Sequence, residues 1–515
     1  MTSQARLLRV VLAACLLMLA GGAQASPPAP VEITLLHVND THGYLMPALR
    51  KNVDEAVPTG GAGYLAGLIR QERDRAPERT LLLSAGDMFQ GTPVSNSFQG
   101  KPVIEWMNHL GFDAMAVGNH EFDWGRDVLG RLRESAAFPF LAANIEAVGS
   151  RGPPLFPPSA VFERGGVRVA VIGVATPVTP HITRAENTRG LVFHEPADVL
   201  PPLVRKARRD GARLVVVLSH LGFEADRELA RKVRDIDVIV GGHSHTAVRE
   251  PLRVGRTLIA QAGSYGIYLG VLRLRVKPGG RGPVEVLPGS GLVTVLAGPD
   301  RPRDDVAAGM VDAYFERIKA DFSRVVGSTT VDVDHDSRGE TAAGNLVCDA
   351  MRESAKADLA IQNSGGIRNS LPRGDITKEQ VFSLLPFDNR VVVLEMNGAQ
   401  VRRLFEGIGL LERQPPQISG AVLEYRQRTD GKLELLDVRV GEARLDDTKR
   451  YRVATNDFLV ESGRGYQVLG EVGSTQLDLV LWDVLLEYLG RHSPVSPRVE
   501  GRIVIRGPVS AKTAH

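Results

Sequence analysis

Cysteine is nearly absent, with two in 515 residues, and once the leader described below is removed only Cys348 remains. No intrachain disulfide is then available. A thiolate-rich metal site is excluded, and any bound ion must be held by His, Asn and carboxylate groups. A surplus of charge of one sign is also missing, since 62 basic and 60 acidic residues leave a net +2. So small an imbalance gives no footprint for gripping a nucleic-acid polymer and leaves room only for a local basic pocket. Beyond the first residues no run is apolar enough to cross a membrane. What is present is the balance of a soluble globular protein, 43% hydrophobic and 24% charged, in a chain long enough for two or three domains.

The one long apolar run reads as an export signal. Arg6 and Arg9 form a positive start, Val10 to Ala20 is the apolar stretch, and Ala23-Gln24-Ala25 supplies small residues for cleavage. A lipoprotein reading at Cys15 ranks second, because the apolar run continues past it through Leu19. The expectation is a periplasmic or secreted protein cut near Ala25, with a leader over 1–25 and a first domain over 26–300. A connecting helix over 301–324, a second domain over 325–506 and a polar tail over 507–515 complete the division.

The first half alternates apolar runs with helical patterns, which points to α/β units. The runs are Ile33–Val38, Thr80–Leu83, Ala114–Val117, Val167–Val174, Leu214–Leu218 and Val238–Val240. Five of them end in ligand-type residues: Asn39-Asp40-Thr41-His42-Gly43, Gly86-Asp87, Gly118-Asn119-His120-Glu121-Phe122-Asp123, Ser219-His220 and Gly241-Gly242-His243-Ser244-His245. Open α/β sheets place ligands at this end of their strands. A β-like stretch follows from Thr257 to Gly298, then a helical one from Pro302 to Phe322, then a second α/β region.

Asp, Asn and His donors without Cys suit Zn²⁺, Mn²⁺, Co²⁺ or Mg²⁺. One bridging carboxylate would let two ions stand about 3.5–4 Å apart and clamp a phosphoryl group. Asp87 is the candidate bridge, because it lies alone at its strand end between the other ligand groups. Asp40 and His42, and likewise His243 and His245, stand two apart and project to one side of an extended tail. A single Asp or His after a strand is more often a cap or a loop hydrogen-bonder. His109, His181, His194 and His335 take that bland reading, but five separate strand ends do not.

Taken in order, these motifs resemble the calcineurin-like metallophosphoesterases. With Gly344-Asn345-Leu346, Asn363-Ser364-Gly365-Gly366-Ile367-Arg368 and Leu385-Pro386-Phe387, the chain resembles the secreted and periplasmic 5′-nucleotidase family, which includes UDP-sugar hydrolases. The resemblance implies a four-layer α/β/β/α metallophosphoesterase sandwich joined by a helix to a smaller α/β substrate-binding domain. It implies two divalent ions, one on Asp40, His42, Asp87 and His245, the other on Asp87, Asn119, His220 and His243. It makes His120 and Asp123 a catalytic dyad, against the alternative that Asp123 caps the helix after Trp124. It assigns Asn363 and Arg368 to substrate binding, with Arg368 forking onto a phosphate, and Phe387 and Phe458 to a stack around the base, against plain core packing. The partner it implies is a small-molecule nucleotide.

Two departures stand out. Relatives carry an Asp for the ribose hydroxyls shortly after the second stacking Phe, where this chain has Arg464 in Gly463-Arg464-Gly465. A guanidinium donates and cannot accept, so Arg464 favours a substrate with extra negative charge, such as a 3′- or cyclic phosphate. Upstream of Gly344 an expected arginine pair is reduced to Arg338, the remaining candidate phosphate contact. The leading expectation is hydrolysis of nucleoside 5′-monophosphates. The runner-up is a 2′,3′-cyclic nucleotide or nucleotide-sugar diesterase. A sulfur-compound hydrolase or a binding protein on the same fold is the alternative of another class. The former should lack the motifs around Arg368 and Phe387, and the latter should have lost a ligand or His120.

Overall fold

The computed structural model describes residues 30–50, 53–149, 154–277, 283–335, 339–410, 415–462 and 466–507. The leader, Cys15, Arg338, Arg464 and all but the first residue of the expected tail lie outside the described residues.

The apolar runs become the central strands of two stacked sheets. In the first sheet Val31–Val38 pairs in parallel with Thr80–Ser84, which pairs with Ala114–Ala116 and then Phe140–Leu141; Tyr268–Val276 closes antiparallel on the other side. In the second, Thr257–Gln261, Val238–Gly241, Leu214–His220 and Val167–Ala175 run parallel side by side. Side chains alternate along each strand, so one face of every strand can go to each layer. Ile33 and Leu35 meet Val169, Val216 and Val240 between the sheets. Leu36 and Val38 face outward to the helices Ala62–Arg73 and Lys101–Leu110, while the far sheet is covered by Pro196–Arg209 and Phe223–Lys232. The result is the four-layer α/β/β/α sandwich.

His37 also points between the sheets. It is opposite Gly270, where a β-carbon would come within 2.0 Å of the imidazole, so glycine there is what makes room for the ring.

The helix expected from Pro302 begins at Asp305 and runs to Phe322. Asp304 sets that start, because its carboxylate accepts the N–H groups of Val306 and Ala307 and caps the helix. The second domain is built on a five-stranded sheet of Gln417–Ser419, Leu359–Gln362, Arg450–Asn456, Arg390–Asn397 and Ser474–Val480. Helices Ala342–Ser354, Lys378–Leu384 and Leu481–His492 pack on one face and Gly398–Gly409 on the other. Cys348 is buried there as a free thiol. No helix among the described residues is long and apolar enough to cross a membrane.

Candidate active site

Where the parallel strands end, the backbone turns sharply. Asp40, His42, Asp87, His243 and His245 all have positive φ, between 49° and 74°. Non-glycine residues avoid this left-handed region, and its repetition at one place marks a functional site. The extended tails expected for Asp40–His42 and His243–His245 are therefore not formed. Left-handed turns send the two members of the second pair to different groups. Asp40, His42 and His245 bring ligand atoms within 4.8 Å of one another, and Asp87, His220 and His243 do the same.

Hydrogen bonds fix which ring nitrogens face inward. Nδ1 of His42 meets the Gln90 carbonyl at 2.9 Å, and Nδ1 of His220 meets the Ala85 carbonyl at 2.7 Å. A carbonyl only accepts, so each Nδ1 carries a proton and each Nε2 is turned inward, where it can serve as a ligand atom. The His42 and His245 Nε2 atoms stand 3.1 Å apart, and Asp40 Oδ1 is 3.5 Å from the latter. His220 Nε2 lies 2.9 Å from Asp87 Oδ2 without hydrogen-bond alignment, and buried Asn119 Oδ1 has no partner among the described residues. Burial, then the neighbouring His120 and His245, holds His42 well below its ordinary value; burial and Arg368 hold His245 down to about 3. Burial opposes charge on His220 as well, but the Asp87 carboxylate more than offsets it and lifts the ring to about 10. The neutral imidazoles of His42 and His245, an orphaned amide oxygen and the Asp87 carboxylate, which draws positive charge towards it, fit a divalent ion.

Glu121, assigned no role by the motif reading, secures the centre of the site. Its buried carboxylate accepts Asp87 N–H at 2.9 Å, Gly118 N–H at 2.7 Å and Met88 N–H at 2.9 Å. Asp87 Oδ1 in turn accepts His120 N–H at 2.9 Å. His120 Nδ1 lies 2.6 Å from Asp123 Oδ2. The Asp123 carboxylate is thus turned to the histidine, and the helix Gly125–Ser135 has no side-chain cap. Burial disfavours a charged His120, Asp123 favours it, and the balance raises the ring above its usual value.

The second domain meets this site face on. Arg368 Nη2 is 3.3 Å from His120 Nε2, and its guanidinium lies over the Phe387 ring, which stacks on His120 at 5.8 Å. Asn363 Oδ1 accepts from Asn456 at 2.9 Å. A cavity of about 880 Å³ is lined by Asp87, Asn119, His120, Asp123, His243 and His245. Across it stand Asn363, Arg368, Phe387 and Phe458, the last also half-buried against the second domain's core. Of the four histidines given the bland reading, His109 pairs with Asp304, His194 with Glu146 and His335 with Ser370, whereas His181 lines the cavity. Besides Glu121, sequence reading missed Gln90, Thr183, Arg184 and Asn187. Only Glu121 carried a local signal, its place beside His120.

Comparison with known proteins agrees with this architecture. Residues 33–247 match the model of the calcineurin-like phosphoesterases, and residues 324–471 match that of the 5′-nucleotidase C-terminal domain. The human 5′-nucleotidase is 31% identical over 96% of this chain and 95% of its own length. The crystal structure of a 5′-nucleotidase precursor from Thermus thermophilus superposes with a TM-score of 0.84 at 31% identity, covering 92% of this chain and 99% of that one. The sulfate thiohydrolase SoxB of Thermus thermophilus shares the fold at a TM-score of 0.79 and 23% identity, over 93% of this chain and 98% of that one. The chain belongs to the 5′-nucleotidase family and is a metallophosphoesterase hydrolase, a calcineurin-like phosphoesterase domain followed by a 5′-nucleotidase C-terminal domain.

Proposed function

We propose that the protein releases phosphate from nucleoside 5′-monophosphates outside the cytoplasm. The observation that carries this reading is the facing of two neighbouring ligand groups, Asp40 with His42 and His245 and Asp87 with His220 and His243, against Arg368, Phe387 and Phe458 across one cavity. Asp40, His42, Asp87 and His245 would hold one ion, and Asp87, Asn119, His220 and His243 the other. Bound there, divalent ions such as Zn²⁺, Mn²⁺, Co²⁺ or Mg²⁺ supply a water of lowered pKa and neutralise phosphoryl oxygens. Arg368 forks onto the phosphate and orients it. His120, held by Asp123, gives its Nε2 proton to the leaving oxygen or a hydrogen bond to the developing charge. Phe387 and Phe458 hold the base, and Asn363 lines the same cavity. The extracytoplasmic location rests on the leader read from the sequence.

Trp124, His181 and Glu186 also line the cavity and are left unused by the monophosphate reading above. They favour a second reading, a cyclic nucleotide or nucleotide sugar, which Arg464 would also suit. The test is phosphate release from nucleoside 5′-, 3′- and cyclic phosphates and a nucleotide sugar, after chelation and reloading with Mn²⁺, Zn²⁺, Co²⁺ or Mg²⁺. The 5′-monophosphates should turn over fastest, and only with metal restored. Turnover of none of them would overturn the proposal.

A further inference from the structure

The segment from the short helical turn Thr179–His181 through the helix Ala185–Thr188 bonds to both domains at once. On one side it holds Asp123: Thr183 Oγ1 lies 3.3 Å from the carboxylate, and Asn187 Nδ2 donates to the Asp123 carbonyl at 3.1 Å. Both side chains are buried, so these contacts are shielded from competing water. On the other side, Arg184, one residue after Thr183, reaches into the second domain. Its Nη2 donates to the Asp388 carbonyl at 2.6 Å and stands 3.7 Å from Asp457 Oδ2.

The two places that Arg184 grips are not arbitrary. Asp388 directly follows Phe387, and Asp457 directly precedes Phe458. Asp457 is itself fastened locally, since its Oδ1 accepts the N–H groups of Arg390 and Phe458 at 3.0 and 2.9 Å. One side chain from the first domain therefore ties together the roots of both aromatic residues proposed to hold the base. The same short segment fixes the Asp123 partner of His120.

We infer that Arg184, with Thr183 and Asn187, is a positioning device that couples occupancy of the nucleobase pocket to alignment of the His120–Asp123 dyad. This rests on the nucleotidase reading above. A base between Phe387 and Phe458 fixes the Asp388 and Asp457 anchors, the anchors fix Arg184, and Thr183 and Asn187 pass that order to Asp123. The enzyme would thereby reserve its full turnover for esters that carry a base, rather than only binding them more tightly.

The experiment compares saturating turnover of a nucleoside 5′-monophosphate with that of ribose 5-phosphate, which lacks the base. Wild-type enzyme should show a higher kcat for the nucleotide. In Arg184→Ala the ratio of the two kcat values should fall about tenfold, the order expected for losing a charge-assisted hydrogen bond. Arg184→Lys, which keeps the charge and one donor, should restore part of the ratio. Thr183→Val should also lower the ratio, because it cuts the link between Arg184 and Asp123 at its far end. Thermal unfolding of each variant controls for loss of fold. A changed KM with an unchanged kcat ratio in Arg184→Ala would overturn the inference alone, leaving Arg184 a contact of closure. A wild-type enzyme that hydrolyses neither ester would overturn the nucleotidase reading and this inference with it.

Discussion

Replacing Glu121 by glutamine leaves the size of the side chain unchanged and removes one acceptor oxygen at the centre of the site. In the native protein the two oxygens take three backbone N–H groups, Asp87 and Gly118 on Oε2 and Met88 on Oε1. A glutamine can at best keep its oxygen in the Oε2 place. Its amide then confronts the Met88 N–H with another donor, and the two remaining bonds go to a neutral amide oxygen in place of a carboxylate. Stranding one buried N–H costs about 1–3 kcal/mol by itself. The loss falls on the turn that holds Asp87 in a left-handed conformation, with φ 55°. A residue supporting a ligand from behind typically changes metal affinity about 10- to 100-fold. We therefore expect Glu121→Gln to bind Mn²⁺ or Zn²⁺ about 10- to 100-fold more weakly, read by calorimetry on chelator-stripped full-length protein. Glu121→Asp, which keeps both oxygens but withdraws them by one methylene, should fall between. A Glu121→Gln protein that is folded and binds the ion within twofold of wild type would refute the reasoning.

Phe387→Ala and Phe458→Ala should each raise KM for a nucleotide by a factor matching the loss of about 1–3 kcal/mol per stacked base, with a far smaller change for ribose 5-phosphate. Equal effects on both esters would return these residues to plain packing. His37 makes the first domain acid-sensitive: burial lowers it from 6.5 to about 4, and its Nδ1 has no partner among the described residues. The unfolded chain takes the proton first as pH falls. The stability due to a neutral His37 is thus complete above pH 6.5 and is lost towards pH 4, by about 3 kcal/mol at 1.36 kcal/mol per pH unit. His37→Leu should flatten the fall in unfolding temperature between pH 7 and pH 4, and an unchanged slope would sink this account.

The sandwich was legible because its strands, buried on both faces, read as continuous apolar runs, and because donors at five strand ends rarely coincide. The sequence pattern did not reveal how those donors converge. Period-two reasoning put His243 and His245 on one side, whereas φ values of 74° and 55° send them to separate groups. Left-handed turns at Asp and His carry no pattern that single-sequence reasoning can read. Contacts between the domains were equally hidden. Gln90 donates to the Pro386 carbonyl across 296 residues, and Arg184 to that of Asp388 across 204. Neither partner has a side-chain identity to match, since a backbone carbonyl is available at every position. Phe387 lines the cavity, and its stacking on His120 depends on that same domain contact.

The left-handed conformation of Asp40, His42, Asp87, His243 and His245 also bears on how this chain can drift or be engineered. Each position carries a cost of about 1–2 kcal/mol for a backbone shape that glycine would adopt freely. Selection for stability alone would push all five towards glycine or asparagine, and a screen for heat resistance should recover such changes first. β-Branched residues are closed to these sites twice over, by the backbone and by the lack of a ligand atom. These Asp and His residues are thus held against a standing thermodynamic pull, and a paralogue freed from whatever holds them would be expected to lose them before its core changed.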